Sequence, residues 1–381
     1  MRSIMHVDRL HLLLPFALPA AADASTALYN ISSPALDKLI ARATLVERVI
    51  GEDFQRTLPH ERWVARQFGT VASGAGAADE APLAPYMLRA DGGEPGTSTW
   101  ACVQPVHVRI AHDHLVLIDP ASLALTDAEA ATLLDVARPL IEELGVRLEA
   151  PQPSRWYLAS DAFGTLAGAS PLRASGRNIE IWLPHEAHTG ERSRAWMKLQ
   201  NEVQMAWFEH PVNEAREARG LPSVNSIWFH AQGAAQPVTS PFDRVLSDAA
   251  ATRGLALTAG VETGAPPASF ADLAAGTNGA HDMSSGTSRN RGGNKSTATT
   301  LVELDPFSAP YIEQDWGRWN EAFAALETEW FAPALAALQA GQLSELGLTL
   351  CGDTGSVTLT ITRGDLRKFW RRRLLASLFI E

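Results

Sequence analysis

Apolar positions along the chain fall into two patterns, short continuous runs and segments with the spacing of an amphipathic helix. The run LHLLLPFAL, residues 10–18, predicts a buried first strand of a parallel sheet. Further strands are predicted at 100–120 (two, around a turn at His112-Asp113), 176–184, 226–233, 299–305 and 346–361. Helices are predicted at 33–51, 58–69, 126–145, 191–210 and 316–341, and a helix leading to a strand at 241–257.

The order of these elements predicts an α/β fold. Strands and helices alternate in both outer parts of the chain, which implies a largely parallel sheet with covered faces. The elements between the two outer parts, at 97–230, have the mixed order of strands and helices that is typical of an inserted α+β domain. Thr126, with Glu129 three residues later, forms a capping box, and Gly145 provides the stop for that helix.

Charge argues against nucleic acid as the main partner, because the net charge of the 381 residues is −11. The exception is the run Arg367–Arg373, with five basic residues in seven. This run could touch an anionic surface. The favoured interpretation is a helix with Arg facing solvent and five apolar side chains facing the core, namely Phe369, Trp370, Leu374, Leu375 and Leu378.

The use of cysteine predicts a cytoplasmic location. Cys102 and Cys351 lie far apart with no CxxC motif, which indicates free thiols in a reducing compartment. The first 24 residues also resemble a signal peptide, so export is the alternative, although Asp8 and His11 interrupt that pattern. No apolar run reaches the roughly 18–20 residues that span a bilayer.

Short motifs for catalysis are weak in this chain. His112 and His114 could converge on a metal, but turn chemistry at a hairpin is the favoured interpretation. Residues 290–297, NRGGNKST, lack the glycine before lysine that a phosphate loop needs, and no GxSxG elbow exists. Taken alone, the residues support a two-part α/β protein and no particular reaction.

One polar segment is more specific, HPVNEAREARGLPSVNSIWF at 210–229. Pro211 predicts a helix restart and Gly220 a helix stop. Asn213, Arg216 and Asn225 cluster near this helix end, where Arg could hold a phosphate or carboxylate in a bidentate manner. Alternatively, these side chains cap the helix and tie the turn to the next strand.

This segment, extended to HAQG at 230–233, resembles archaeal-type cofactor-independent phosphoglycerate mutases of the alkaline phosphatase superfamily. The blocks SPALDKL, WACVQPVHVRIAHDHLVLIDP and LTDAEAATLLDVARPLIEEL are similar to family blocks in the same order. The stretch from Leu199 to Trp228 also resembles bacterial proteins labelled regulatory protein RpfE. The resemblance implies an alkaline-phosphatase-like core at 1–92 and 231–381 and an inserted domain at 97–230. Residues 276–299 are low in apolar content, which predicts a flexible loop.

The resemblance also implies a chemistry of two divalent metals, held by Asp and His, with a Ser nucleophile. Glu61 falls at the place of the Ser, and Arg62 at that of a metal-binding Asp. Asp305 and Asp353 fall on the later ligand strands, but no His follows either. Residues 231–381 contain one His, His281, where the resemblance implies several.

The favoured hypothesis is a catalytically inactive relative with a regulatory role or a small anionic ligand or protein partner. It needs no cofactor, and its candidate ligand-binding residues are His210, Asn213, Arg216, Asn225, His60, Glu61 and Arg62. The first alternative is an active phosphoglycerate mutase or phosphatase with Mn, Zn or Mg held by relocated ligands, drawn from His60, His112, His114, Asp305 and Asp353. The second alternative is a module that binds a small phosphorylated metabolite.

Overall fold

The computed structural model describes residues 8–20, 23–27, 31–52, 54–71, 80–186, 190–279 and 298–378. Most of the loop predicted at 276–299 lies outside these ranges. The chain divides into two compact units. The first comprises Met1–Ile50, Ser240–Ala249 and Val261–Glu381, and the second comprises Gly51–Thr239 and Ala250–Gly260.

The described strands and helices are numbered in chain order. The strands are β1 Arg9–Leu14, β2 Thr44–Ile50, β3 Thr99–Val106, β4 Val108–Ile110, β5 Leu115–Leu117, β6 Arg147–Gln152, β7 Arg155–Ala159, β8 Leu166–Ala167, β9 His185–Glu186, β10 Ser226–Ala234, β11 Arg244–Leu246, β12 Glu262–Gly264, β13 Thr299–Glu303, β14 Glu345–Cys351 and β15 Gly355–Thr362. The α-helices are α1 Ala24–Ala27, α2 Pro34–Arg42, α3 Pro59–Gln67, α4 Ala84–Ala90, α5 Asp127–Glu142, α6 Pro171–Ala174, α7 Glu191–Trp207, α8 Pro211–Ala218, α9 Ala250–Thr258, α10 Phe270–Gly279, α11 Ser308–Ile312, α12 Trp316–Leu326 and α13 Ala332–Ala340. Short 3-10 helices lie at Pro120–Leu123, Asp161–Thr165, Glu180–Trp182, Asp365–Arg367 and Leu375–Leu378.

The first unit contains a sheet with the described strand order β12-β11-β13-β1-β14-β15-β2. The neighbours from β12 to β14 pair in parallel, whereas β15 is antiparallel to β14 and to β2. Leu12, Leu13 and Leu14 of the central strand β1 are fully buried, as a two-sided parallel strand requires. The predicted α/β class with a largely parallel sheet is confirmed. The first strand, predicted at 10–18, forms at Arg9–Leu14 and ends before Pro15.

A buried polar row crosses this sheet. The His11 Nε2 and Thr349 Oγ1 atoms share a hydrogen bond of 2.8 Å, and Thr349 Oγ1 lies 2.9 Å from Thr358 Oγ1. Position 347 must be glycine, because a Cβ there would stand 2.2 Å from the His11 ring. Burial lowers the pKa of His11 to about 4, so the ring is neutral at pH 7 and acts as a hydrogen-bonding group that links β1 to β14.

Three local predictions were wrong. Residues 44–50 of the predicted helix 33–51 form β2, because their apolar and β-branched side chains pair with β15. Residues 241–257 run strand first and helix second, because β11 joins the parallel sheet between β12 and β13. The strand predicted at 176–184 is a bend with a 3-10 turn, in which the Asn178 side chain accepts the N–H of Glu180 at 3.0 Å.

The prediction of a helix at 367–373 is also wrong. Asp365 closes a local turn by accepting the N–H of Thr362 at 3.0 Å and the Nζ of Lys368 at 2.6 Å, which competes with helical hydrogen bonding. Of the five apolar residues predicted to face the core, only Leu375 and Leu378 are buried. Phe369, Trp370 and Leu374 are 72%, 66% and 68% exposed.

The long helix predicted at 316–341 forms with one irregularity. A π-helical segment, Glu327–Phe331, separates α12 from α13. Pro333 lies in the first turn of α13, and its ring has no N–H for the carbonyl four residues earlier. In a regular α-helix the proline ring would also clash with that carbonyl. The wider π-helical turn before Pro333 relieves this clash, which accounts for the position of the π segment.

The second unit is built on an antiparallel sheet with the described order β10-β3-β7-β6. The helices α5 and α7 cover one face through an apolar core that includes Trp156, Trp196 and Trp207. The helix α4 packs on β3, β10 and α9. Residues 51–92, predicted to belong to the outer core, therefore group with this unit, because α4 buries its side chains there.

No helix in the ranges that the structure describes is long and apolar enough to cross a membrane.

Candidate functional site

The segment that carried the sequence resemblance forms α8 and the turn after it. α8 begins at Pro211, and the Nδ1 atom of His210 accepts the N–H of Val212 at 3.2 Å as the N-cap. Gly220 ends the helix with a φ of +74°, a conformation that favours glycine. The predicted helix restart and stop are both confirmed.

The two asparagines of this segment bind the backbone of their own unit. Asn213 is 3% exposed, and its Nδ2 donates to the carbonyls of Trp207 at 2.8 Å and Val224 at 2.9 Å. Its Oδ1 accepts the Val224 N–H at 2.7 Å. Asn225 forms two hydrogen bonds of 2.8 Å with the backbone of Val108. These contacts support the structural interpretation, and a ligand role for either residue stays a prediction.

Arg216 is completely buried, and each of its three side-chain nitrogens donates a hydrogen bond to the protein. Its Nε donates to the Pro222 carbonyl at 2.9 Å, and its Nη2 donates to the Leu123 carbonyl at 2.6 Å. Its Nη1 donates to Glu129 at 2.9 Å. Arg219 reaches the other oxygen of Glu129 from the surface. A buried guanidinium with these partners joins α8 to the start of α5.

Glu129 is the anionic member of this cluster. Burial alone would raise the pKa of its carboxyl group. Hydrogen bonds from Thr126 and Arg219, with the positive charge of Arg216, lower the pKa to about 2 instead. The capping box predicted at Thr126 and Glu129 is confirmed, since each side chain accepts the other residue's N–H.

The three other predicted site residues lie on α3. Arg62 is buried, and so is His60, whose pKa is lowered to about 3 by burial and by the charge of Arg173. The Glu61 carboxylate accepts the N–H of Leu58 at 2.7 Å and a hydrogen bond from Ser170. Glu61 therefore closes the first turn of α3, in the way a capping-box glutamate does.

Glu61 also lines a narrow polar cleft within the second unit. Its neighbours there include Glu80, Ser170, His230 and Gln232. Of the seven predicted site residues, only Glu61 lines this cleft. Burial raises the pKa of Glu61 to about 7, an effect that the nearby charge of Glu80 reinforces. A carboxyl group that titrates near neutral pH in a cleft is a recognised mark of a functional site.

The opposite wall of the cleft is held by Glu80 and Arg56. Glu80 accepts the N–H groups of Arg56 at 2.8 Å and Thr57 at 2.7 Å, and it also accepts the Thr57 hydroxyl. The Arg56 guanidinium donates to the carbonyls of Trp182 at 3.0 Å and Leu183 at 3.2 Å. Both side chains are therefore fixed by the protein before any ligand binds.

A backbone irregularity brings β10 into the cleft. The pairing of β10 with β3 shifts register between His230 and Gly233, and Ala231 has a φ of +60°. Bulges of this kind re-aim side chains beside binding sites. His230 shares a 3.1 Å hydrogen bond with Gln104, and burial followed by the charge of Arg155 lowers its pKa to about 3. The imidazole is thus neutral at pH 7.

The sequence pattern did not predict the cleft residues that lie outside α3. Glu80 and Ser170 lie in irregular segments and Gln232 lies in β10, and their proximity arises from the fold. One usable signal was the glycine at the end of the predicted strand 226–233, because Gly233 lies at the bulge beside His230 and Gln232.

The relocated metal ligands of the alternative hypothesis are placed as follows. His112 and His114 lie in the turn between β4 and β5, where the His114 ring contacts Asp113 at 2.7 Å. Asp305 accepts the N–H of Ser308, the first residue of α11, at 3.1 Å. In the part of the chain that the structure describes, no group of three or more His, Cys, Asp or Glu side chains could hold a metal ion.

Comparison with known proteins finds similarity in structures alone. No protein-family profile and no curated protein matches the chain. Solved structures similar to it include the PH0037 protein from Pyrococcus horikoshii, at 10% identity and a TM-score of 0.47, covering 94% of this chain and 88% of that one. Another is the cofactor-independent phosphoglycerate mutase from Thermoplasma acidophilum DSM 1728, at 14% identity and a TM-score of 0.42. This match covers 97% of the present chain and 94% of the mutase. At such identities, neither comparison bears on the residues of the cleft.

Truncation of Arg216 should destabilise the protein strongly. Arg216→Ala leaves Glu129 without its buried partner, and removal of one member of a buried pair costs about 3–5 kcal/mol of unfolding free energy. The matched change, Arg219→Ala, removes a half-exposed partner of the same Glu129 and should cost about 1 kcal/mol or less. Urea unfolding of both variants measures the difference, and equal losses would contradict the assignment.

Glu61 should make stability decrease as pH rises from about 4.5 to 7. Its folded pKa lies above the unfolded value of 4.5, so the folded state binds the proton more tightly and loses that advantage when the group ionises. Glu61→Gln should therefore gain on the order of 1–3 kcal/mol relative to wild type between pH 5 and pH 8. Chemical unfolding across that range measures it. The exposed control Glu217→Gln should show no such trend, and a pH-independent difference for Glu61→Gln would refute the shift.

Proposed function

We propose that this chain is a ligand-binding or regulatory protein with a phosphoglycerate-mutase-like fold, and that it does not transfer phosphoryl groups. The polar cleft around Glu61 is the proposed ligand site. The observation that carries the proposal is the state of the Glu61 carboxyl group. It stands where the sequence resemblance expects a serine nucleophile, and its hydrogen bonds are made within the protein.

A serine nucleophile requires a hydroxyl group that faces the substrate and a base or metal that activates it. Glu61 instead accepts the Leu58 N–H and a hydrogen bond from Ser170. Its carboxyl group is half protonated near neutral pH because burial disfavours the charge. This side chain supports proton exchange and hydrogen bonding better than the formation of a phosphoryl ester.

The neighbouring position supports the same proposal. The resemblance expects a metal-binding aspartate where Arg62 lies, and Arg62 is 7% exposed. Two-metal catalysis requires carboxylate and imidazole ligands around both ions. A guanidinium group cannot supply a lone pair to a metal, and its positive charge repels one.

The cleft has an accessible volume of about 10 Å³, roughly the room of one water molecule, so a larger polar ligand can bind there only if the lining side chains move apart. Ser170 and Gln232 offer hydroxyl and amide groups, and the Gln232 Oε1 already accepts the Gly168 N–H at 3.2 Å, which fixes the amide plane. Neutral His230 closes one end of the cleft, and Glu61 can donate or accept a proton near pH 7. Ligand binding here should be coupled to the ionisation of Glu61.

The proposal predicts no turnover and specific binding. Recombinant full-length protein, supplied in turn with Mn²⁺, Zn²⁺ and Mg²⁺, should interconvert 2- and 3-phosphoglycerate and hydrolyse a phosphate monoester no faster than buffer. A thermal-shift screen of phosphorylated and other polar metabolites should yield a stabilising ligand. Its shift should be lost in Gln232→Ala and kept in the exposed control Gln204→Ala.

A chelator-sensitive reaction rate would contradict the proposal and favour the metal-dependent alternative. Equal thermal shifts in wild type, Gln232→Ala and Gln204→Ala would show that the ligand binds outside the cleft. The anion-binding alternative has its own signature, because it requires the shift to depend on Asn225, which lies outside the cleft.

A further inference from the structure

A basic and apolar surface lies on the first unit, whereas the cleft residues belong to the second. It comprises residues 42–50 and 363–378, called here the basic–aromatic surface. These two stretches carry eight Lys or Arg side chains against two acidic ones, in a chain whose net charge is −11. One of the two acids, Asp365, already binds Lys368 and Thr362.

The two stretches are joined by hydrogen bonds. Arg42 donates to the Lys368 carbonyl at 3.0 Å, and Arg371 donates to the Ala43 carbonyl at 3.3 Å. Arg48 donates to the Ser377 carbonyl at 2.8 Å. The segment after Lys368 is therefore held beside β2, and Leu45 and Arg371–Arg373 line one open groove.

Apolar side chains project from this surface into solvent. Phe369 and Trp370 are 72% and 66% exposed, and their rings contact each other at a centroid distance of 5.3 Å. Leu374 is 68% exposed on the same segment, and Val46 of β2 is 58% exposed. Exposed aromatic and aliphatic groups together usually mark a surface that is covered by something.

Two arginines of the surface remain available to a partner. Arg367 and Arg372 are exposed, and their guanidinium groups make no hydrogen bond or ion pair with the residues that the structure describes. Their charges are not neutralised within the protein, in contrast to Arg371, which binds the backbone beside β2 and lies 3.8 Å from Asp365.

We propose that the basic–aromatic surface docks on an anionic lipid bilayer. Arginines attract the negative headgroups, and Trp and Phe side chains insert at the headgroup level. The exposed aliphatic groups Leu374 and Val46 favour lipid over nucleic acid, because bases stack on aromatic rings and gain little from aliphatic side chains. A second copy of the chain fits less well, since it would bring two sets of unpaired arginines together.

The test uses full-length protein and vesicles of phosphatidylcholine with or without phosphatidylserine, in a co-sedimentation assay. Binding should require phosphatidylserine and weaken as salt rises. Arg372→Ala should lower partitioning roughly fivefold, the effect of one basic side chain near an anionic surface. Arg372→Lys should retain binding, because it keeps the charge.

Trp370→Ala tests the apolar part of the surface and should lower partitioning at unchanged net charge. The matched controls are Arg109→Ala, an exposed arginine on β4, and Phe208→Ala, a residue 79% exposed after α7. Both controls should bind vesicles like wild type. All four alanine changes are at exposed positions, so thermal unfolding should confirm intact folding in each.

Three outcomes would overturn the proposal. The first is no binding to phosphatidylserine vesicles, or an equal loss of binding in variants and controls. The second is binding of a single-stranded RNA, weakened by Arg372→Ala, with no vesicle binding. The third is a dimer in solution that Trp370→Ala dissociates, again with no vesicle binding.

Discussion

The hydrogen bond from the Leu58 N–H to the Glu61 carboxylate determines what the start of α3 can do. It satisfies a donor that every helix start leaves open, and it turns the carboxyl group toward the protein. Burial then keeps this group partly protonated near pH 7. Glu61 thereby acts as a helix cap at the wall of a polar cleft.

The residues around Glu61 are also held in place by contacts within the protein. Glu80 and Arg56 bind backbone groups on one wall of the cleft, and the bulge at His230 shapes the other. These side chains are held by hydrogen bonds within the protein, and the space between them is about 10 Å³, so a ligand larger than water would have to displace them. Arg216 plays a comparable structural role at the other diagnostic segment, where it joins α8 to α5 through Glu129.

Periodicity predicted those elements whose burial is regular. The strand at 9–14 and the helices α3, α5 and α7 follow from apolar spacing and capping residues, because each buries a continuous face. The failures occurred where a tertiary contact decides. β2 forms because β15 offers an edge, and the segment after Asp365 turns because Thr362 and Lys368 capture that carboxylate.

The site was only partly predictable for the same reason. The sequence singled out Glu61, which lines the cleft, but Glu80, Ser170 and His230 reach it from separate segments that no local pattern connects. Asn213, Arg216 and Asn225 were conspicuous because they are polar and closely spaced. Their contacts show that such residues can be conspicuous because they hold a turn together.

Metal stoichiometry tests the central claim about α3 most directly. Full-length protein is incubated with Mn²⁺ or Zn²⁺, freed of unbound ions by desalting, and examined by elemental analysis. A helix start closed by Glu61 and flanked by Arg62 predicts sub-stoichiometric metal in the folded protein. Retention of two ions per chain, with loss of both in a chelator, would contradict it and restore the two-metal phosphoryl-transfer hypothesis.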